Sequence, residues 1–231
     1  MRQVVSELMV DSFTVRVTRK RMKNIYLRVL PPDGEVTVSA PFQATDAHVA
    51  KVVRKQRDWI LQQQRTVAQA AAQRIAPYEF SDGLAFPIFG STFTVRVDPA
   101  IRKPVIKAPY VLIPGRKIDE EVRRVLKDHL RGRVWELIED WGPVIGRTPR
   151  HVTVKKMTSR WGSCNRSRSV INLNSQLVFL PEQFLIYVLV HEMTHLWVGG
   201  HGKEFYSRMD ATLPQWKKLR RELNDLGARV L

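Results

Sequence analysis

The sequence predicts an α+β fold in two parts. Residues 1–118 read as an N-terminal antiparallel β-rich region with one long helix. Residues 119–231 read as a domain whose histidine-bearing helix packs on a small antiparallel sheet. Three observations carry this prediction. Short alternating apolar runs punctuated by Pro, Gly and Asp fill much of the first 118 residues, long segments of helical periodicity fill much of the rest, and one of those helices bears His191-Glu192-Met193-Thr194-His195. The length of 231 residues and an apolar content of 44% suit one or two domains, at a typical size of ~100–200 residues each.

Taken in order, Phe13 to Val17 alternates as a strand. Ile25 to Leu30 and Glu35 to Ser39 flank the turn cluster Pro31-Pro32-Asp33-Gly34, which is a hairpin pattern, and Pro41 ends the sheet. A single long helix is expected next, capped by Thr45 or Asp46 and stopped by Pro77, with Val49, Val52, Val53, Ile60 and Val67 at helical spacing. Its Lys51, Arg54, Lys55, Arg57 and Arg65 read as a solvated face. Residues 77–118 alternate turn formers with β-like runs at Phe93 to Val97, Val105 to Lys107 and Tyr110 to Ile113, which predicts a second small antiparallel sheet.

A charged helix from Asp119 to Trp141 is expected to bury Val122, Leu126, Val134, Leu137 and Ile138 and to end at Gly142-Pro143. The strand His151 to Lys155, a polar loop from Ser159 to Asn165 and the strand Val170 to Asn174 follow. That last strand reads equally as an edge able to pair with an extended backbone and as an interior strand. Pro181 opens the helix that carries the histidines to Trp197, and Gly199-Gly200 is expected to end it and to turn the chain so that His201 returns. Shorter helices from Lys203 and Pro214 complete the chain.

Composition removes several classes. One cysteine, Cys164, rules out an internal disulfide framework and a cysteine-rich metal ribbon. No run approaches the ~20 apolar residues of a membrane span, and the opening residues, broken by Glu7 and Asp11, do not read as a secretory signal. The expectation is a soluble cytoplasmic protein. The net charge of +16 is spread along the chain, with 13 basic against 6 acidic residues in 1–76, 13 against 10 in 77–150 and 12 against 6 in 151–231. Such a basic surface suits contact with DNA or another polyanion.

The histidine motif carries the chemistry. Residues four apart share one helix face, so the imidazoles of His191 and His195 reach a single ion, and Glu192 beside them can take a proton from water activated there. His201 is the expected third ligand, with Glu204 and Glu222 as carboxylate alternatives. Three protein ligands leave an open position, the mark of a catalytic rather than a structural site, and the ion expected is Zn²⁺. His48, His129 and His151 lack a partner at ligand spacing. Cys164 reads as a packed thiol before a fourth ligand or a redox switch.

Arg160-Trp161-Gly162-Ser163-Cys164, Ile171-Asn172-Leu173-Asn174, Leu177, Pro181, Tyr187-Val188, the motif at 191–195, His201 and Glu204-Phe205 together resemble the YgjP-like zinc metallopeptidases, relatives of the SprT-like proteases within the zincins. The likeness continues upstream through Thr18 to Arg21, the Pro-Asp-Gly-Glu-Val turn at 32–36, Ala40-Pro41 and Trp59-Ile60, and so spans nearly the whole chain. The chain departs from the family pattern at Gly200 and Gly202 around the third histidine, at Tyr206 and at Met193-Thr194. The resemblance implies a zincin-like catalytic domain over 119–231 and hydrolysis of a protein or peptide substrate by a zinc-activated water. In that scheme His191, His195 and His201 are ligands, Glu192 is general base and then acid, and Arg160 or Tyr206 steadies the oxyanion. It also implies, through SprT-like relatives that act on proteins crosslinked to DNA, substrates associated with DNA. Two other readings compete. One is a metal-dependent endoribonuclease with three histidines at the same spacing, which has glycine where this chain has Glu192. The other is a non-catalytic nucleic-acid-binding protein on a zincin fold.

Overall fold

A computed structural model describes residues 3–30, 33–72 and 78–230, so Pro31, Pro32 and Pro77, expected as a turn and a helix stop, lie outside the described residues. The class is α+β, with three small sheets and six α-helices among the described residues. The chain divides into two compact units, Met1–Ile75 and Ala76–Leu231.

The first unit holds strands β1 (Val4–Val10), β2 (Phe13–Lys20), β3 (Tyr26–Leu30) and β4 (Glu35–Pro41) in the order β1-β2-β4-β3. β1 with β2 and β3 with β4 are antiparallel hairpin pairs, and β2 joins β4 in parallel register, Val15 opposite Val36. Alternation puts Val15, Val17, Val36 and Val38 on the buried face. The expected single helix is two. Helix α1 (Asp46–Lys55) is capped by Thr45, whose hydroxyl accepts the His48 N–H, and α2 (Arg57–Ala72) follows a break at Gln56, where φ is −105° and ψ 17°. Val49, Val53 and Ile60 keep facing the core across the break, so the apolar spacing alone does not reveal it.

The second unit opens with β5 (Ala85–Ile88), β6 (Ser91–Val97), β7 (Val105–Lys107) and β8 (Tyr110–Ile113), ordered β5-β6-β8-β7 with β6 parallel to β8. This repeats the topology of the first sheet. A third sheet has the order β10-β11-β9, from β9 (His151–Lys155), β10 (Gly162–Asn165) and β11 (Val170–Asn174). Each sheet, expected to be antiparallel, therefore contains one parallel pair, because in each the second strand of a hairpin lies beside an earlier strand. β5 to β8 share one core with the helices and the third sheet. The compact division accordingly falls at 75/76, where the sequence reading sets 118/119.

Helix α3 (Ile118–Ile145) presents Val122, Leu126, Leu130, Val134 and Leu137 as a buried stripe. It runs through Gly142-Pro143, the expected stop. Pro143 falls in the last turn, and the helix ends instead at Gly146, whose φ of +77° breaks it. A 3₁₀ turn (Ser175–Phe179) leads to α4 (Glu182–Thr194), which is apolar nearly all round and sits at the centre of the core. α5 (Lys203–Thr212) and α6 (Trp216–Val230) close the unit. α4 stops at His195, short of Trp197 and of Gly199-Gly200, through i→i+3 bonds from Leu196 to Met193 and Trp197 to Thr194. Neither glycine has a positive φ, so the return of His201 does not depend on left-handed backbone. No helix among the described residues is long and apolar enough to cross a membrane.

Candidate metal centre

One helical turn separates His191 from His195 on α4, and the segment after the helix carries His201 back over them. The Nε2 atom of His201 lies 3.0 Å from that of His191 and 3.2 Å from that of His195. All three ligand atoms lie within 4.8 Å of one another. Imidazoles on one tetrahedral ion, bonded at ~2.0–2.1 Å, stand about 3.3 Å apart, so the donor set is already at the separation a divalent cation requires. His195 Nδ1 is 3.0 Å from the Val198 carbonyl, which as acceptor fixes the tautomer and turns the Nε2 lone pair inward. Burial first, then the neighbouring His195 and His201, drives the His191 imidazole down to about 3. His201 is lowered for the same reasons. Neutral imidazoles are the form that binds a metal. His191 Nδ1 is buried with no hydrogen-bond partner.

Phe205, fully buried on α5, forms the floor under the cluster, its ring centroid 4.9, 4.7 and 4.7 Å from those of His191, His195 and His201. Glu192 is 6% exposed and faces the same cleft of about 500 Å³. Burial pushes its carboxyl up to about 8, against the opposing pull of the Arg160 guanidinium. Gly162 on β10 makes this placement possible. A Cβ there would stand 2.8 Å from both Cγ and Oε1 of Glu192 and 3.0 Å from Val188 Cγ1, so any larger residue displaces the carboxyl.

Of the other predicted residues, Arg160 lines the cleft. Tyr206 does not line it. Its ring stacks on Trp216 at 5.4 Å and 9°, and lies 6.5 Å from His201. Glu204 and Glu222 stand outside the ligand group, the first bonded to Arg208 and the second beside Lys218. Cys164 lines the cleft, but its thiol is not in the ligand group. Burial, and secondarily the Glu192 charge, lifts it to about 11, which keeps it a thiol at neutral pH. Trp161 packs beside Gly227 against the core. Of the two readings of β11, edge or interior, it is the interior one, between β10 and β9. β10, expected as part of a polar loop, is the strand that lines the cleft, and among the described residues it is an edge of that sheet.

Three residues named in the sequence only as carriers of the family resemblance have a role at the site that the sequence reading did not assign. Asn174 is fully buried, donates to the carbonyls of Met157 (2.9 Å) and Arg160 (3.0 Å), and accepts from the backbone N–H groups of Gln176 and Met157. It ties down the loop that bears Arg160. Phe205 and Gly162 act through contacts with residues distant in the chain. The motif resemblance marks the positions of all three, and the polar Asn inside an apolar alternation marks the first again, but no local signal gives the contacts of the other two.

Comparison with known proteins agrees in kind. Residues 23–226 match the family described as YgjP-like, metallopeptidase domain. No match is found among curated proteins. Among solved structures, the chain is similar to the metallopeptidase zymogen abylysin of Pyrococcus abyssi, with 20% identity and a TM-score of 0.38 over 42% of this chain and 99% of that one. It is also similar to the zymogen jannalysin of Methanocaldococcus jannaschii, with 15% identity and a TM-score of 0.36 over 40% of this chain and 95% of that one.

Proposed function

The chain belongs to the YgjP-like metallopeptidase family, and on that footing we propose that it hydrolyses peptide bonds with a zinc ion held by His191, His195 and His201 and with Glu192 as the proton-transferring base. The observation that carries this reading is the convergence of three imidazole Nε2 atoms beside a buried carboxyl in one cleft. Three imidazoles suit zinc, and when bound it supplies a polarised water and an electrophile for the scissile carbonyl.

The chain's own residues account for the rest. Glu192 takes a proton from the attacking water and delivers it to the departing amine. A carboxyl raised above the ordinary carboxylate range is a stronger base than an exposed one, which favours its taking the proton. Arg160 lines the cleft with Glu192 and is the favoured of the two oxyanion candidates, since Tyr206 does not line it and stacks on Trp216. The free edge of β10 offers backbone groups to an extended substrate. Free Cys164 fits a reducing, cytoplasmic setting. The finer reading, that its substrates are proteins associated with DNA, is supported by the net charge of +16.

Glu192→Gln tests the assignment. The variant should retain one metal ion per chain by elemental analysis and lose peptidase activity by roughly 10²–10⁴-fold. Undiminished hydrolysis with metal bound would overturn the role of Glu192. Duplex DNA titrated into the same variant between ~50 and ~200 mM salt should lose affinity steeply, and salt-independent binding removes the DNA reading.

A further inference from the structure

The charges around the cleft are not balanced. Along α3, α4 and α5 most arginines are neutralised: Arg123 pairs with Asp119, Arg133 with Glu182 and Arg208 with Glu204. Arg160 and Arg166, which line the cleft, have no carboxylate within 4.0 Å among the described residues. Among the described residues the only acidic side chain in the cleft wall is Glu192. Arg166 also lines a second cavity of about 510 Å³, with Arg147, Thr148, Ser167, Ser169 and Leu196, and no acid is present there among the described residues. Arg147 is held on that wall. Its guanidinium donates to the Leu196 carbonyl and stacks over the Trp197 ring at 3.9 Å, so its position is set before any ligand arrives. Arg166 lines the same cleft as the histidines, and its Nη1 lies 4.0 Å from where a side chain at Gly199 would begin.

β10 connects these features. Arg160 precedes it and Arg166 follows it, so a substrate strand laid along its edge has a guanidinium at each end. Four residues in a strand span about 10 Å between the first and last Cα, at ~3.3 Å per residue. Gly162 stands beside Glu192, so with that end as the reacting end, two or three steps of an extended substrate bring a side chain near the end of β10 that Arg166 follows, and Arg166 lines the second cavity. A guanidinium fork set in a concave, hydroxyl-lined wall recognises a carboxylate.

We propose that Arg166, backed by Arg147, forms a specificity subsite for an acidic side chain, so that this peptidase selects glutamate- or aspartate-bearing segments two or three residues from the bond it cuts. The proposal rests on the peptidase reading above. It is tested with zinc-loaded protein and a set of otherwise identical neutral dodecapeptides carrying Glu, Gln or Lys at those positions. Binding is read on the Glu192→Gln background by fluorescence anisotropy, and cleavage on the active enzyme. In both readouts the Glu peptide should exceed the Gln peptide by about tenfold, the gain of one charge-assisted hydrogen-bonded pair. Arg166→Gln should bring that ratio near one, and Arg166→Glu should make the Lys peptide the preferred one. Glu and Gln peptides bound within twofold of each other by the wild-type cleft would overturn the subsite. Acid-selective binding without cleavage of any peptide would uphold the subsite and sink the peptidase reading instead. A single-stranded oligonucleotide that loses affinity on Arg166→Glu, while the Glu peptide does not, would assign the cationic wall to nucleic acid and overturn the proposal.

Discussion

Glu192 and His191 are adjacent in sequence and shifted in opposite directions by the same cause, burial of the charged form. The consequence for metal-free protein follows from the signs. The Glu192 carboxyl is raised from 4.5 to about 8, so its contribution to stability is complete below pH 4.5 and is lost as pH rises through 8. His191 is lowered from 6.5 to about 3, so its contribution is complete above 6.5 and is lost as pH falls toward 3. Glu192→Gln should remove the alkaline loss. In chelator, melting curves of wild type and variant should diverge as pH rises from 5 to 9, by on the order of 2–4 kcal/mol in stability at the upper end. Curves that stay parallel across that range would show that the carboxyl ionises without penalty.

Among the elements, most strands and helices were legible, because alternation and helical spacing are local properties of the chain, while β10, whose Gly-Ser-Cys-Asn carries no apolar alternation, read as loop. Pairing was not. Nothing in Val36 or Val38 announces that β4 lies parallel to β2, and nothing local says that β10 rather than β11 holds the free edge. The metal ligands stand out because two of them share a helix face. Phe205 and Gly162 do not, because their roles exist only once α5 and β10 are packed on α4. Asn174 is the instructive case: it sits in the alternating strand β11, yet its side chain is spent on the loop before β10. Replacing it with alanine leaves the carbonyls of Met157 and Arg160 without their donor, which should cost about 2–6 kcal/mol at ~1–3 kcal/mol for each unsatisfied buried group. Arg160 would then lose its fixed position, so activity should fall even at temperatures where the variant is fully folded. Chemical denaturation paired with kcat/KM at low temperature separates the two effects.

At the scale of the molecule, the two units have separate cores. One cluster gathers Val10 through Ile60, the other Phe80 through Leu223, and no residue belongs to both. All three histidines lie in the second unit. An ion that binds the native state alone stabilises only the unit it binds, by about 4 kcal/mol at a thousandfold excess over Kd. Scanning calorimetry should therefore resolve two transitions, of which chelator lowers one and leaves the other in place. A single transition that moves as a whole would show that the cores melt together.

The chain positions of the three proposed ligands also bear on how fast the centre would exchange an ion. His191 and His195 would form a two-toothed chelate set by one turn of α4, while His201 would close the third arm across a six-residue span that lies outside the helix. Release should then proceed in stages, with the outer arm opening first, and the lifetime of a metal-loaded protein should report the fluctuations of residues 196–202 rather than those of the helix.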